Sequence, residues 1–196
     1  MNLYDLIIIG AGPAGISAAL EAKIAGLDCL VIEKGLIGNT IYNYPVGLTV
    51  FSTTNELEFR EGELKPAREK PTREELLSYY VRTVLDNDLN VHTEETVLDV
   101  RSDQGEAREF HVITDKGEYK AENVLFAIGA MDHPRKLNVP GEDLPKVFDN
   151  FHETYPWVKK KTLVIGGSNS AGAAALFLAE EGSHAALAMF RKDWEN

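Results

Sequence analysis

The stretch Tyr4–Lys34, YDLIIIGAGPAGISAALEAKIAGLDCLVIEK, decides the fold. Tyr4 to Ile9 is an apolar run of β-branched character that stops at glycine, which suits a strand buried on both faces of a parallel sheet. Pro13 to Ala25 reads as a helix, with proline in its first turn and Gly26 just past its end. Asp28 to Ile32 is the next strand, closing a βαβ unit. Gly10, Gly12 and Gly15 form GxGxxG between strand and helix, the context the motif needs. The first glycine permits the tight turn, the second lets a diphosphate approach backbone N–H groups, and the third lets helix and strand pack closely. Glu33 ends the second strand, 33 − 15 = 18 positions after the third glycine. A carboxylate there can accept both ribose hydroxyls of an adenosine.

The layout returns at Leu163–Lys192, LVIGGSNSAGAAALFLAEEGSHAALAMFRK. The two stretches align without gaps at an offset of 166 − 10 = 156: Gly10 with Gly166, Gly12 with Ser168, Gly15 with Ala171 and Gly26 with Gly182. At the place of Glu33 stands Met189, followed by Arg191 and Lys192. Losing the ribose acid and gaining cations suits a 2′-phosphate, so the second cradle is expected to prefer NADPH. A solvated charge pair is the plainer reading of Arg191 and Lys192, and the Ser168 side chain crowds a diphosphate. One cradle with an acid and one with bases point to FAD in the first and NADPH in the second.

Composition agrees with a soluble α/β protein. Of 196 residues 44% are hydrophobic and 26% charged, and the net charge of −11 argues against nucleic-acid or anionic-membrane partners. Neither a secretory leader nor a membrane span is evident, and Glu21 and Lys23 interrupt the longest apolar region. A single cysteine, Cys29, fits a reducing cytoplasm and reads as a buried strand thiol.

Between the two units, residues 35–70 are irregular and read as loops and short helices over a ligand, with FREGELKPAREK exposed. PTREELLSYYVRTVLDN is a helix: Thr72 and Glu75 form a capping box, and Leu76, Leu77, Tyr80, Val81 and Val84 make an apolar stripe. A third parallel strand is expected at Asn90–Thr93. Three antiparallel strands come next in TVLDVRS, EFHVITD and GEYKAENVLFAIG, joined by the loop DQGEAR and the turn DKG, and Val124–Ile128 should return to the main sheet. The fold class expected is α/β. A Rossmann-like FAD-binding domain over 1–130, with a parallel sheet and a small antiparallel meander, precedes a Pro-rich linker over 131–160. The first βαβ unit of a second Rossmann-like domain, binding NADPH and incomplete, occupies 161–196.

FAIG at Phe126–Gly129, together with DHPRKLNVPGEDLPKV, YPW, GGSNSA, GNTIYNYP, FSTTNELE and KPTREELLSYY, resembles the low-molecular-weight thioredoxin-reductase-like flavoproteins. The similarity runs over essentially the whole chain and is greatest to the YpdA, or bacillithiol disulfide reductase, family. It implies that Gly10, Gly12, Ala14, Gly15 and Glu33 bind the FAD diphosphate and ribose, that Asn39 and Thr40 approach the flavin, that Val97 meets the adenine through its backbone, and that Gly129 lies near the diphosphate. It further implies that Gly166, Gly167, Ser168, Asn169, Ser170 and Ala171 cradle the NADPH phosphates, with Arg191 matching the last arginine of the thioredoxin-reductase HRR run. A homodimer is also implied.

Three departures qualify the resemblance. No cysteine occurs after Cys29, so the Cys-x-x-Cys relay of thioredoxin reductases has no counterpart. Ala14 stands where bacillithiol disulfide reductases carry a cysteine. The returning FAD segment of the family is not present before Asn196, so a fragment with weak flavin retention is expected. Two functions remain open: an oxidoreductase passing electrons from NADPH through FAD to a small disulfide, a quinone or an iron–sulfur protein, and a non-catalytic nucleotide-binding module. His133 is a candidate proton donor or a surface histidine, and Tyr42 and Tyr44 stack on the flavin or pack in a lid.

Overall fold

The computed structural model describes residues 3–102, 109–131 and 134–189. Internal contacts divide the chain into two units, Met1–Val147 and Phe148–Asn196. The boundary falls inside the Pro-rich stretch 131–160; the loop 103–108 lies outside the described residues.

In the first unit, β1 (Leu3–Ile9), α1 (Pro13–Ile24) and β2 (Cys29–Ile32) form the βαβ unit, and the short helices α2 (Asn39–Tyr42) and α3 (Thr54–Leu57) lie beyond it. Then come α4 (Arg73–Asp86), β3 (Val91–His92), β4 (Val97–Ser102), β5 (Phe110–Thr114) and β6 (Glu118–Phe126). The strands make one sheet in the order β3-β2-β1-β6-β5-β4. β1 pairs in parallel with β2 and β6, and β2 with β3, while β4, β5 and β6 are antiparallel. The meander is therefore continuous with the main sheet. The reason is the length of β6, whose start pairs with β5 and whose Lys120–Phe126 span runs along β1. Its pairing stops at Phe126, and Ile128 is exposed rather than part of the sheet.

Side chains alternate across the sheet, so β1 is buried on both faces. Ile7, Leu30 and Ile32 pack with Val112 and Ala121 of the meander, and Ile8 and Val31 pack with Ala11 and Ala19. α4 starts in the expected capping box: the Glu75 N–H donates to Thr72 Oγ1 at 3.2 Å and the Thr72 N–H to Glu75 Oε2 at 2.8 Å. Leu76, Tyr80 and Val84 join Ile16, Ile41, Val50 and Leu64 in a second core. Leu77 and Val81 are only partly buried, whereas Arg73 and Thr83 are buried instead. Leu64 corrects the reading of the charged stretch as wholly exposed. It is anchored beside Phe59, whose ring stacks on Tyr79 at 5.4 Å.

The second unit contains a 3-10 turn at Tyr155–Trp157, then β7 (Lys161–Ile165), α5 (Asn169–Glu180) and β8 (His184–Ala188). β7 and β8 pair in parallel, and α5 packs on them. Lys161, Leu163 and Ile165 on β7, with His184, Ala186 and Ala188 on β8, are exposed, as the alternation of one bare sheet face requires.

Candidate functional site

Parallel strands aim their carboxyl ends at one edge, where ligands of open α/β sheets bind. Here β1, β2 and β6 end at Ile9, Ile32 and Phe126, and the turns leaving these three ends converge. Gly10 has φ +110°, and a Cβ there would overlap the carbonyl oxygen of Ala127. That contact brings the turn leading to Gly129 beside the glycine loop. Gly15 lies against the carbonyl of Gly10 and the Ile8 side chain, with no room for a Cβ. Both glycines are thus required by the protein itself.

Gly12 is different. A Cβ built on it meets no described protein atom within 4 Å, and its φ of −79° is open to any residue. No described part of the fold requires glycine at this position. Gly12 is also the N-cap of α1, which has no side-chain cap and no acidic residue in its first turn. α4, by contrast, is capped by Thr72 and carries Glu74 and Glu75 in its first turn. An uncapped helix start with open space before it suits an anionic diphosphate. Ala14 sits exposed in that first turn.

Glu33 stands directly after β2 and is only 7% exposed. Its Oε2 accepts from the Ala11 N–H at 2.8 Å and its Oε1 from the Gly35 N–H at 2.7 Å. The carboxylate that the sequence assigns to the ribose hydroxyls thus also holds a backbone amide on each oxygen. Each keeps a further lone pair, and the group is fixed against the glycine loop. Gly38 donates to the Ala11 carbonyl at 2.9 Å, so α2, with Asn39 and Thr40, begins beside the same loop. Asn39 is partly buried against Gly35, while Thr40 is exposed. The Glu95 N–H donates to the Glu33 carbonyl at 3.0 Å, and Val97 begins β4 two residues later. Tyr42 is bound to the start of α4 by Arg73, which donates to its carbonyl at 2.6 Å and lies over its ring at 5.4 Å. The residues of the first cradle fit a dinucleotide diphosphate and ribose.

Cys29 is half-buried in β2 rather than buried. Its burial and the neighbouring Asp28 carboxylate push the thiol up to about 11. It lies at the opposite end of β2 from Glu33.

The second unit repeats several backbone bonds of the first at the same offset. The Gly10 N–H donates to the Ile32 carbonyl at 2.8 Å and the Gly166 N–H to Ala188 at 2.9 Å. Gly26 donates to Lys23 and Gly182 to Ala179, both at 3.1 Å. α1 and α5 are both 12 residues long, 156 positions apart. Ser168 is the N-cap of α5, exposed, with no side-chain cap, and Asn169 and Ser170 open the helix, exposed as well. Ala171 fits where the first unit has glycine because Gly166 faces it without a side chain; a Cβ there would stand 2.8 Å from the Ala171 Cβ. Gly167 lies near Met189, the counterpart of Glu33. Arg191, Lys192 and His133 lie outside the described residues.

Sequence reading missed Glu95, His92, Tyr119 and Arg73. None of them belongs to a spaced motif, and only the folded chain ties Glu95, His92 and Tyr119 together beside Glu33 and Arg73 to Tyr42.

Two successive dinucleotide-type βαβ units, the first with a ribose acid, define a two-nucleotide α/β protein. Residues 7–196 match the family model described as pyridine nucleotide-disulphide oxidoreductase, and the chain belongs to that family, whose members are flavin-dependent oxidoreductases using NAD(P)H. Bacilliredoxin reductase Bdr of Bacillus subtilis (strain 168) is 42% identical over 177 residues, 90% of this chain and 54% of the relative. A ferredoxin–NADP reductase of Ignicoccus hospitalis is 27% identical over 97% of this chain and 57% of the relative. The structure of bacillithiol disulfide reductase Bdr (YpdA) from Staphylococcus aureus superimposes with a TM-score of 0.94 at 37% identity, covering 100% of this chain and 59% of that one. The chain thus spans a little over half the length of the relatives it matches.

Proposed function

We propose that this chain holds the FAD site and the start of the NADPH site of an oxidoreductase that passes electrons from NADPH to an acceptor without a Cys-x-x-Cys dithiol. The observation that carries the reading is the first cradle: Gly12 opens onto space that no side chain requires, before an uncapped helix, with Glu33 locked beside it. FAD bound there would supply a two-electron acceptor for hydride from NADPH.

In this reading the α1 amides and Gly12 take the diphosphate, and Glu33 accepts the ribose hydroxyls on its remaining lone pairs. Ala14, exposed in the first turn, lies beside the diphosphate, Val97 presents its backbone to the adenine, Gly129 lines the diphosphate, and Asn39 and Thr40 face the flavin end. Gly166, Gly167, Ser168, Asn169, Ser170 and Ala171 cradle the NADPH phosphates, with Arg191 and Lys192 for the 2′-phosphate. The acceptor is a small disulfide, a quinone or an iron–sulfur protein. It takes its electrons without a thiolate from these 196 residues, since Ala14 stands in place of a cysteine and Cys29 has its thiol held near 11. Residues 1–130 are the FAD-binding domain, 131–160 the linker and 161–196 the NADPH-binding beginning, in a cytoplasmic homodimer.

The test is direct. The purified chain, and one extended to the length of its relatives, should be yellow and should consume NADPH with ferricyanide as acceptor. A colourless protein that takes up no added FAD, even when extended, would sink the oxidoreductase reading and leave the nucleotide-binding module.

A further inference from the structure

Behind the first cradle lies a polar cluster that the proposed activity does not use. Glu95, in the turn between β3 and β4, is 3% exposed. Its Oε1 accepts from Thr114 Oγ1 at 2.7 Å and from the Tyr119 hydroxyl at 2.9 Å, and its Oε2 lies 3.1 Å from His92 Nδ1. Three elements, β3, β5 and β6, are thereby tied to one carboxylate. The backbone of the same residue points the other way, with its N–H on the Glu33 carbonyl at 3.0 Å, while the Glu33 N–H donates to the His92 carbonyl at 2.8 Å. The next residue is fixed too: the Thr96 N–H donates to Asp115 Oδ1 at 2.9 Å, and the Asp115 N–H to the Thr96 carbonyl at 3.0 Å.

We propose that Glu95 is a positioning residue for the adenosine half of the dinucleotide, setting the Glu33 carboxylate through its backbone and the Thr96–Val97 backbone through its turn. This deepens the FAD reading above and rests on it for the identity of the ligand.

The chemistry favours a built device over an incidental burial. A buried carboxylate costs free energy unless donors satisfy it. Burial alone would raise the Glu95 pKa, yet the bonds from Thr114, Tyr119 and His92 outweigh it and hold the group below the usual carboxylate value. The partner phenol answers in kind, with burial and the bond to Glu95 pushing Tyr119 up to about 12. Glu95 is therefore an anion with its donors in place. The turn it anchors supplies one of the two backbone bonds that flank Glu33, and residue 97 lies within the reach of the same turn.

The experiment uses the full 196-residue chain and the variants Glu95→Ala, Glu95→Gln and, as a control in the other core, Val84→Ala. Glutamine keeps an acceptor for Thr114 and Tyr119; alanine keeps none. Amide hydrogen exchange at Ala11 and Gly35, the two donors to the Glu33 carboxylate, is measured without ligand. Affinities for FAD and for ADP are measured by titration. Glu95→Ala should speed exchange at both amides and weaken FAD and ADP by a common factor of about ten, the equivalent of roughly one hydrogen bond. Glu95→Gln should stay within about threefold of the parent on that scale, and Val84→Ala, although less stable, should match the parent in both. Unchanged protection of Ala11 and Gly35 in Glu95→Ala, or an equal loss in Val84→Ala, would overturn the proposal, as would a loss for FAD without one for ADP. A parent that binds no FAD even when extended to the length of its relatives would remove the oxidoreductase reading alone, because the exchange comparison still decides whether Glu95 holds Glu33.

Discussion

The three glycines of the first motif look alike in sequence and do different work in the fold. Gly10→Ala forces a side chain into the Ala127 carbonyl at φ +110°, so urea unfolding should show a loss of about 2–3 kcal/mol. Gly12→Ala meets no described atom; the melting temperature should hold while FAD titration shows a loss of about tenfold. If both variants instead lose stability equally, Gly12 is structural and the cradle argument fails. Cys29 makes a chemical prediction of its own. With its thiol near 11, its thiolate fraction at neutral pH is on the order of a hundredfold below that of an ordinary thiol. Iodoacetamide should label it correspondingly slowly, and Cys29→Ala should leave any NADPH consumption unchanged.

α4 shows what an element owes to its ends. Thr72→Ala removes the acceptor for the Glu75 N–H and should cost about 1 kcal/mol in a thermal or urea melt. Glu75 is held below the usual carboxylate range by the Thr72 N–H first, then by Ala67, and Glu95 by its own three donors against its burial. Groups lowered in the folded chain contribute stability that is complete above the ordinary value of 4.5 and is lost as pH falls through their folded values. Stability of the first unit should therefore drop on acidification below about 4.5, and Glu95→Gln should flatten that drop. A melting temperature flat from neutrality down to strong acid would contradict the network.

The same elements show how far sequence carries. β1, α1, β2 and the α4 cap were legible because period, glycine placement and capping chemistry are local. The return of Val124–Phe126 to the main sheet was legible in its apolar run, but the extent of the merger was not, because the pairing with β1 already begins at Lys120, where β6 still pairs with β5. Glu95 was invisible for a similar reason: Thr114 and Tyr119 lie 19 and 24 positions away, and no spacing rule joins them.

The whole chain carries a net charge of −11, which repels an anionic nucleotide at a distance. Raising ionic strength from about 20 to about 200 mM should therefore lower the apparent KM for NADPH. A KM that climbs with salt would instead show that cations near the second cradle govern the encounter. The second unit sets another expectation. A two-stranded sheet is marginal alone, and its outer face leaves Leu163 and Ile165 largely in solvent. Hydrogen exchange in β7 and β8 should outpace that in β1 by orders of magnitude; equal protection would show that something covers that face in solution. The duplicated hydrogen-bond frame has a final consequence. With part of the main-chain scaffold repeated at a constant offset, the protein carries its own matched pair of backbone frames. Swapping the side chains at 33 and 189 becomes a graft between related sockets, in which the loss of the two amide bonds that Glu33 makes in the first unit must be read alongside any change of cofactor preference.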